Sequence, residues 1–168
     1  SIQACTKGIW IYTKIIDSDG KRVLVMDTEG IGSLDANSTH DSRIFSLALL
    51  LSSYFIYNSV GSIDENAIQN LSLVTNISKT ITSSNEDFDT NGIYPEFMWL
   101  VRDFTLRLTN EKGEEISSKQ YLESALSGHD EVRDTIKETF KNRTCRTLVR
   151  PCNDENDLQS MSSDNVIL

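Results

Sequence analysis

Val23-Leu24-Val25-Met26-Asp27-Thr28-Glu29-Gly30 is the stretch on which the reading of this chain turns. Four apolar residues run into an acidic cluster closed by glycine. A buried parallel strand that delivers a carboxylate to the sheet's carboxyl edge has this pattern. Open α/β sheets bind ligands at that edge. An Asp there suits Mg²⁺, held directly or through water, and a Gly just beyond it lets the backbone approach a phosphate. A strand followed by a polar turn gives the same pattern, so the surroundings must decide.

Upstream, Ile9 to Ile16 is rich in β-branched and aromatic residues, with Trp10 and Tyr12 alternating, and predicts a strand. Asp17-Ser18-Asp19-Gly20 predicts a turn, so this strand and Arg22–Met26 should pair as an antiparallel hairpin at one edge of the sheet. Downstream, a well-buried helix is expected from about Asp41 to Leu51, with Ile44, Leu47, Ala48 and Leu51 on one face. Tyr54–Asn58 predicts a core strand. Ser62-Ile63-Asp64-Glu65 has capping-box form and opens a helix through Ala67, Leu71, Val74, Ile77 and Ile81. Thr82–Gly92 is polar and acidic and reads as a surface loop. Phe97–Val101 predicts a third buried strand running into Arg102-Asp103. Phe104, Leu106 and Leu108 lead to a turn at Glu111–Glu114. Two short helices follow, marked by Tyr121, Leu122, Ala125 and Leu126, then by Val132, Ile136 and Phe140. Cys145–Val149 predicts a last strand, stopped by Arg150-Pro151. Strands alternating with helices make the chain α/β with a largely parallel sheet.

At 168 residues the chain is one domain or a large part of one. It opens on Ser1 and enters strand-like sequence almost at once, and is read as a piece of a longer polypeptide. The net charge of −9 argues against general nucleic-acid binding, which needs a basic face. Cys5, Cys145 and Cys152 fit neither a zinc pattern nor a disulfide framework and read as reduced thiols. His40 and His129 are expected in exposed loops. No apolar run reaches about 18 residues, so no transmembrane helix is predicted. Trp10 and Trp99 are expected in the core.

Two predicted core strands finish in a carboxylate, Asp27 and Asp103. In a parallel sheet both would lie on one edge and serve one ligand from two sides. One suits a metal–phosphate end; the other suits a base with two adjacent N–H donors. Guanine presents N1–H and its 2-amino group side by side, and adenine does not. A buried Asp would therefore select guanine, since adenine leaves the carboxylate unpaired at a cost of roughly 1–3 kcal/mol or more. A strand-end surface ion pair remains an equal reading of Arg102-Asp103.

Cys5-Thr6-Lys7-Gly8-Ile9-Trp10, Asp27-Thr28-Glu29-Gly30, Leu47-Ala48-Leu49-Leu50-Leu51-Ser52-Ser53, Tyr57-Asn58-Ser59 and Leu100-Val101-Arg102-Asp103-Phe104 occur in an order that resembles the guanylate-binding proteins. These are large GTPases of the dynamin superfamily. The resemblance runs to about Leu158. The atlastins look more distant, having Gln where this chain has Glu29, and the ending Leu148–Asn156 looks more like plant and protist members.

The resemblance implies a three-layer P-loop NTPase-type sheet flanked by helices, incomplete at its N-terminus. Residues 1–158 would be a partial GTPase domain, and 159–168 a polar tail toward a helical region. It implies Mg²⁺-dependent hydrolysis of GTP to GDP and phosphate. Thr6 resembles the switch threonine that completes the Mg²⁺ shell, and Asp27 the carboxylate that holds Mg²⁺ through water. Glu29 resembles the residue of the catalytic water network, and the Gly30 amide a γ-phosphate contact. Arg102-Asp103 resembles the guanine-specificity motif, with Leu148 in the base cap. A nucleotide-dependent homodimer, a cytoplasmic location and membrane association through regions beyond this chain are also implied.

Two departures stand out. G-x-x-x-x-G-K-[ST], the phosphate cradle the family carries upstream, is absent from the 168 residues, so the piece alone is expected to be inactive. Ala4 occupies the position where animal members carry a water-arranging Ser. A non-catalytic interaction domain that dimerises through its nucleotide face is the alternative. A metal-dependent hydrolase using Asp27, Glu29 and Asp41 is a third reading, without the His ligands it would need.

Overall fold

The computed structural model describes residues 8–29, 38–72, 75, 94–154, 156 and 157. Its centre is a three-stranded parallel sheet in the order β5-β6-β7, formed by β5 (Tyr54–Val60), β6 (Glu96–Arg102) and β7 (Arg143–Thr147). The register sets Phe55 beside Phe97, Tyr57 beside Trp99 and Trp99 beside Cys145. These positions, two apart along each strand, share one face.

That face is the core. Helix α1 (Ser38–Leu51) supplies Phe45, Ala48 and Leu49; the helix at 65–72, α2, supplies Ile68 and Leu71. Helix α3 (Ser118–Ala125) adds Leu122, and α4 (Glu131–Thr139) adds Ile136. Aromatic rings run through the middle: Phe45 meets Phe55 edge-on at 5.1 Å, and Phe97 stacks on Phe140 at 4.2 Å. Such pairs add about 0.5–1.5 kcal/mol beyond area burial. The opposite face carries Ile56, Asn58 and Val60 of β5, all exposed, and Arg102 of β6. The expected third layer, a cover for this face, is not found among the described residues.

The N-terminal strands form a long bent hairpin. β1 (Ile9–Ile11) pairs antiparallel with β4 (Met26–Thr28), and β2 (Ile16–Ser18) with β3 (Lys21–Val23). Asp19 and Gly20 join β2 to β3 with φ values of 48° and 74°. Two successive positive φ values make the mirror-image turn whose twist matches paired strands, as Asp-Gly predicts. Tyr12 N donates to Val25 O, so residues 13–15 stand opposite Leu24 alone. This bulge splits the single strand expected over Ile9–Ile16.

The sequence pattern misleads at several points. Val23–Met26 pairs antiparallel in the expected hairpin, yet it was also expected to be buried in the parallel sheet, and Val23, Leu24 and Val25 are exposed. The tight turn pairs it with its immediate predecessor, and β4 shares no ladder with the parallel sheet among the described residues. Trp10, expected in the core, is 65% exposed, whereas Trp99 is 0% exposed. In α1 the buried stripe runs through Phe45, Ala48 and Leu49, leaving the expected core residues Leu47 and Leu51 outside. The cap of α2 is Asp64, which accepts from Ala67 N at 2.8 Å, not Ser62, whose amide is taken by Val60 O. β7 begins two residues earlier than expected, at Arg143. The helical positions expected at Val74, Ile77 and Ile81, and the loop 82–92, lie outside the described residues.

Candidate functional site

The carboxyl ends of β5, β6 and β7 meet at one edge, where the backbone departs from regular pairing. Leu148 N donates to Val101 O at 2.8 Å, and Leu148 O accepts from Phe104 N at 2.9 Å. In a regular parallel ladder the second bond would come from residue 103. One extra residue is therefore inserted between the two bonds, and Asp103 is that residue. Its φ is 53°, in the left-handed region that Asp tolerates better than most residues. Bulges re-aim side chains and recur beside functional sites. Here the bulge takes Asp103 out of the strand's alternation, and its side chain is half-buried.

Arg102, just before it, is held from β5. Its carbonyl accepts Gly61 N at 2.8 Å, and its Nε donates to Asn58 Oδ1 at 2.8 Å. Gly61, with φ at 84°, turns the chain directly after β5. Trp99 Nε1 donates to Ser59 Oγ at 2.9 Å, tying β5 to β6 on the core face. Arg102, Asp103 and Leu148 thus lie together at this edge. Asn58, which the sequence placed only within the Tyr57-Asn58-Ser59 block, and Gly61, read only as part of a turn, belong to the same edge. The available signal was one amide side chain closing the apolar run Tyr54–Tyr57.

The other candidate residues gather on the β1–β4 ladder. Asp27 lies in β4 opposite Trp10 and is exposed. Glu29 follows β4 and turns back on the start of β1: its amide donates to Gly8 O at 3.1 Å, and its Oε2 accepts Gly8 N at 3.0 Å. Gly8 has φ at 75°, so the chain bends there just after Thr6-Lys7. The Glu29 carboxylate therefore fastens Gly8, just before β1, to the end of β4. Thr6 and Gly30 themselves lie outside the described residues. Asp27 and Asp103 were expected on one parallel sheet edge. They stand instead in different sheets among the described residues.

Asp27 is a hard oxygen donor suited to Mg²⁺, which takes one or two carboxylates and completes its shell with water and phosphate oxygens. Among the described residues no group of three or more His, Cys, Asp or Glu can hold a metal by itself. Asp27 alone could therefore serve Mg²⁺ only with other donors completing the shell.

A cavity of about 400 Å³ opens at the opposite edge, by the amino ends of the parallel strands, lined by Tyr54, Glu96, Glu123 and Arg143 among others. Two of its guanidinium nitrogens are committed: Arg143 donates to Glu123 at 2.6 Å and to Phe140 O at 3.1 Å. It shares no lining residue with the candidate site.

Among known proteins, residues 1–166 match the family model described as Guanylate-binding protein, N-terminal domain. The chain is 34% identical over 181 residues to Guanylate-binding protein 4 of Homo sapiens, covering 96% of this chain and 28% of that protein. It is 34% identical over 183 residues to Guanylate-binding protein 6 of Mus musculus, covering 97% and 30%. It is 36% identical over 171 residues to Guanylate-binding protein 1 of Mus musculus, covering 90% and 29%. The chain spans 28% to 30% of the length of these relatives.

Proposed function

The chain belongs to the guanylate-binding proteins, through their N-terminal domain, and from that premise we propose that it forms part of a GTP-binding domain that hydrolyses GTP to GDP and phosphate. The observation that carries this reading is the bulge at Arg102-Asp103, bracketed by Leu148.

In this reading Asp103 accepts the guanine N1–H and 2-amino donors together. Arg102 braces the loop, and Leu148, with its exposed side chain, covers the base. Adenine leaves the carboxylate without donors on that edge, which gives discrimination of the order of tenfold or more. The phosphate end falls to the hairpin. Glu29 joins the water network at the γ-phosphate while its other oxygen holds the Gly8 amide. Gly30 offers its amide to the γ-phosphate. Asp27 and Thr6 would hold Mg²⁺, whose charge offsets the charge developing on the phosphates during transfer. In hydrolysis a water oxygen bonds to the γ-phosphorus, the bond to the β–γ bridging oxygen breaks, and GDP leaves with that electron pair. The water's protons pass to phosphate and solvent. The chain's own contribution is placement and charge stabilisation.

A homodimer formed through the nucleotide face and attachment to membranes through other regions of the protein belong to the same proposal. Binding of GTP and ATP to the full-length protein with Mg²⁺ tests it. GTP should be preferred by at least about tenfold, and Asp103→Asn should move the preference toward xanthine nucleotides. Equal affinity for GTP and ATP would overturn the base assignment. Absence of nucleotide binding would favour the non-catalytic interaction domain.

A further inference from the structure

The hold of β5 on Arg102 has a consequence for specificity. In the parallel register Asn58 lies beside Leu100, and Val60 beside Arg102. For its Nε to reach Asn58 Oδ1 at 2.8 Å, the Arg102 side chain must fold back along β5 rather than extend beyond the strand end. The Gly61 amide fixes the carbonyl of the same residue at 2.8 Å. Arg102 is thus held at side chain and backbone, one position before Asp103. Asp103 has a left-handed backbone at φ 53° and little conformational latitude with which to absorb a displaced neighbour.

We infer that Asn58 is a positioning residue for guanine specificity: by fixing Arg102 it sets the direction in which the Asp103 carboxylate meets the base. This rests on the reading of Asp103 as the guanine contact. Asn58 and Arg102 are both exposed, and an exposed hydrogen bond adds little to global stability. Its effect therefore falls on orientation. A purely structural role would lower the melting temperature and weaken all nucleotides alike. A positioning role changes discrimination between bases.

The test measures GDP, IDP and ADP affinities of the full-length protein by calorimetry. IDP lacks the 2-amino group, so the GDP-to-IDP ratio reports how well both donors are met. Asn58→Ala should lose about tenfold in GDP affinity, as expected for a hydrogen bond to a charged group. Its GDP-to-IDP ratio should fall with it, while ADP binding and melting temperature stay as in the wild type. Asn58→Asp keeps an acceptor for Nε and should restore the ratio. Arg102→Lys removes that donor and should match Asn58→Ala, and the double variant should be no worse than either single one. If Asn58→Ala proves unfolded, Arg102→Lys decides: an unchanged ratio overturns the inference. An unchanged ratio in a folded Asn58→Ala protein, or additive losses in the double variant, overturns it too, leaving the guanine reading intact if the wild type still prefers GDP over ADP. A wild type indifferent to GDP and ADP removes both.

Discussion

Asp103 combines a local backbone requirement with a chemical one, and substitution separates them. At φ 53° a β-branched residue would cost about 1–2 kcal/mol, while glycine meets no such penalty. Asp103→Gly should therefore melt within about 1 kcal/mol of the wild type yet lose its preference for GTP over ATP. Asp103→Val should lose both. Thermal melting beside nucleotide competition checks the pair. Two core residues carry a separate expectation, at alkaline pH. Burial, with a smaller contribution from Asp64, pushes the Tyr57 phenol from 10.0 up to about 12, and burial pushes the Cys145 thiol from 9.0 up to about 11. Raised folded values mean that the protonated forms are favoured by folding. That stability is complete below pH 9, and is lost as pH rises through 11 for Cys145 and 12 for Tyr57. Between neutral pH and 9 these two groups leave the unfolding free energy unchanged, and above 9 they lower it, with Tyr57 ionising at about 12 in a tyrosinate absorbance titration. The Tyr57 part is on the order of 2 kcal/mol. A flat profile to pH 11 would show that neither group is sealed from water.

At the scale of elements, the best-defined local signal is the start of α3. Ser117 Oγ accepts from Gln120 N, and Gln120 Oε1 accepts from Ser117 N at 2.8 Å. Leu122 of the same helix is fully buried in the core, so the cap is coupled to the whole. Ser117→Ala should cost about 1 kcal/mol and Ser117→Gly only a few tenths, read from denaturant midpoints. No loss in Ser117→Ala would mean that the cap's hydrogen bond is not what stabilises this end. The helix itself was legible in the sequence, because apolar periods and Asp-Gly turns act over a few residues; its Ser117 cap was not named, and the cap that was named, Ser62, gives way to Asp64. β5, β6, α3 and α4 fall where their patterns place them. What was not legible depends on partners distant in sequence. Val23–Met26 reads the same whether a strand is buried in a parallel sheet or exposed beside its predecessor. Ser62 and Asp64 are both capping types, and only the geometry of the turn after Val60 chooses Asp64. Nothing in an Arg-Asp pair announces a bulge, and Asn58 meets Arg102 across 44 positions. The residues of the proposed base site were named from sequence; the contacts that hold them could not be.

Across the whole molecule, the two halves of the proposed site stand on separate sheets. The β1–β4 ladder carries Asp27 and Glu29, the parallel sheet carries Arg102 and Asp103, and no ladder joins them among the described residues. A nucleotide that used both halves would contribute binding energy only insofar as the halves are held at a fixed spacing. Free relative motion would convert that energy into an ordering cost. The phosphates also need a cradle of backbone amides, and the 168 residues contain no G-x-x-x-x-G-K-[ST]. Base contacts alone, one carboxylate and a covering Leu148, amount to a few kcal/mol. The 168-residue chain by itself should therefore bind GTP at least about 100-fold more weakly than the full-length protein, a difference of about 2.7 kcal/mol. Its residual binding should show little dependence on Mg²⁺ or on the γ-phosphate. Glu29→Ala should weaken the full-length protein's preference for GTP over GDP, since it frees the Gly8 amide. The same substitution should leave the weak binding of the 168-residue chain unchanged. Titrating GTP and GDP into both proteins, with and without Mg²⁺, decides this. Equal GTP affinity in the two would place a phosphate cradle inside these 168 residues and overturn the division of the site into a base half and a phosphate half.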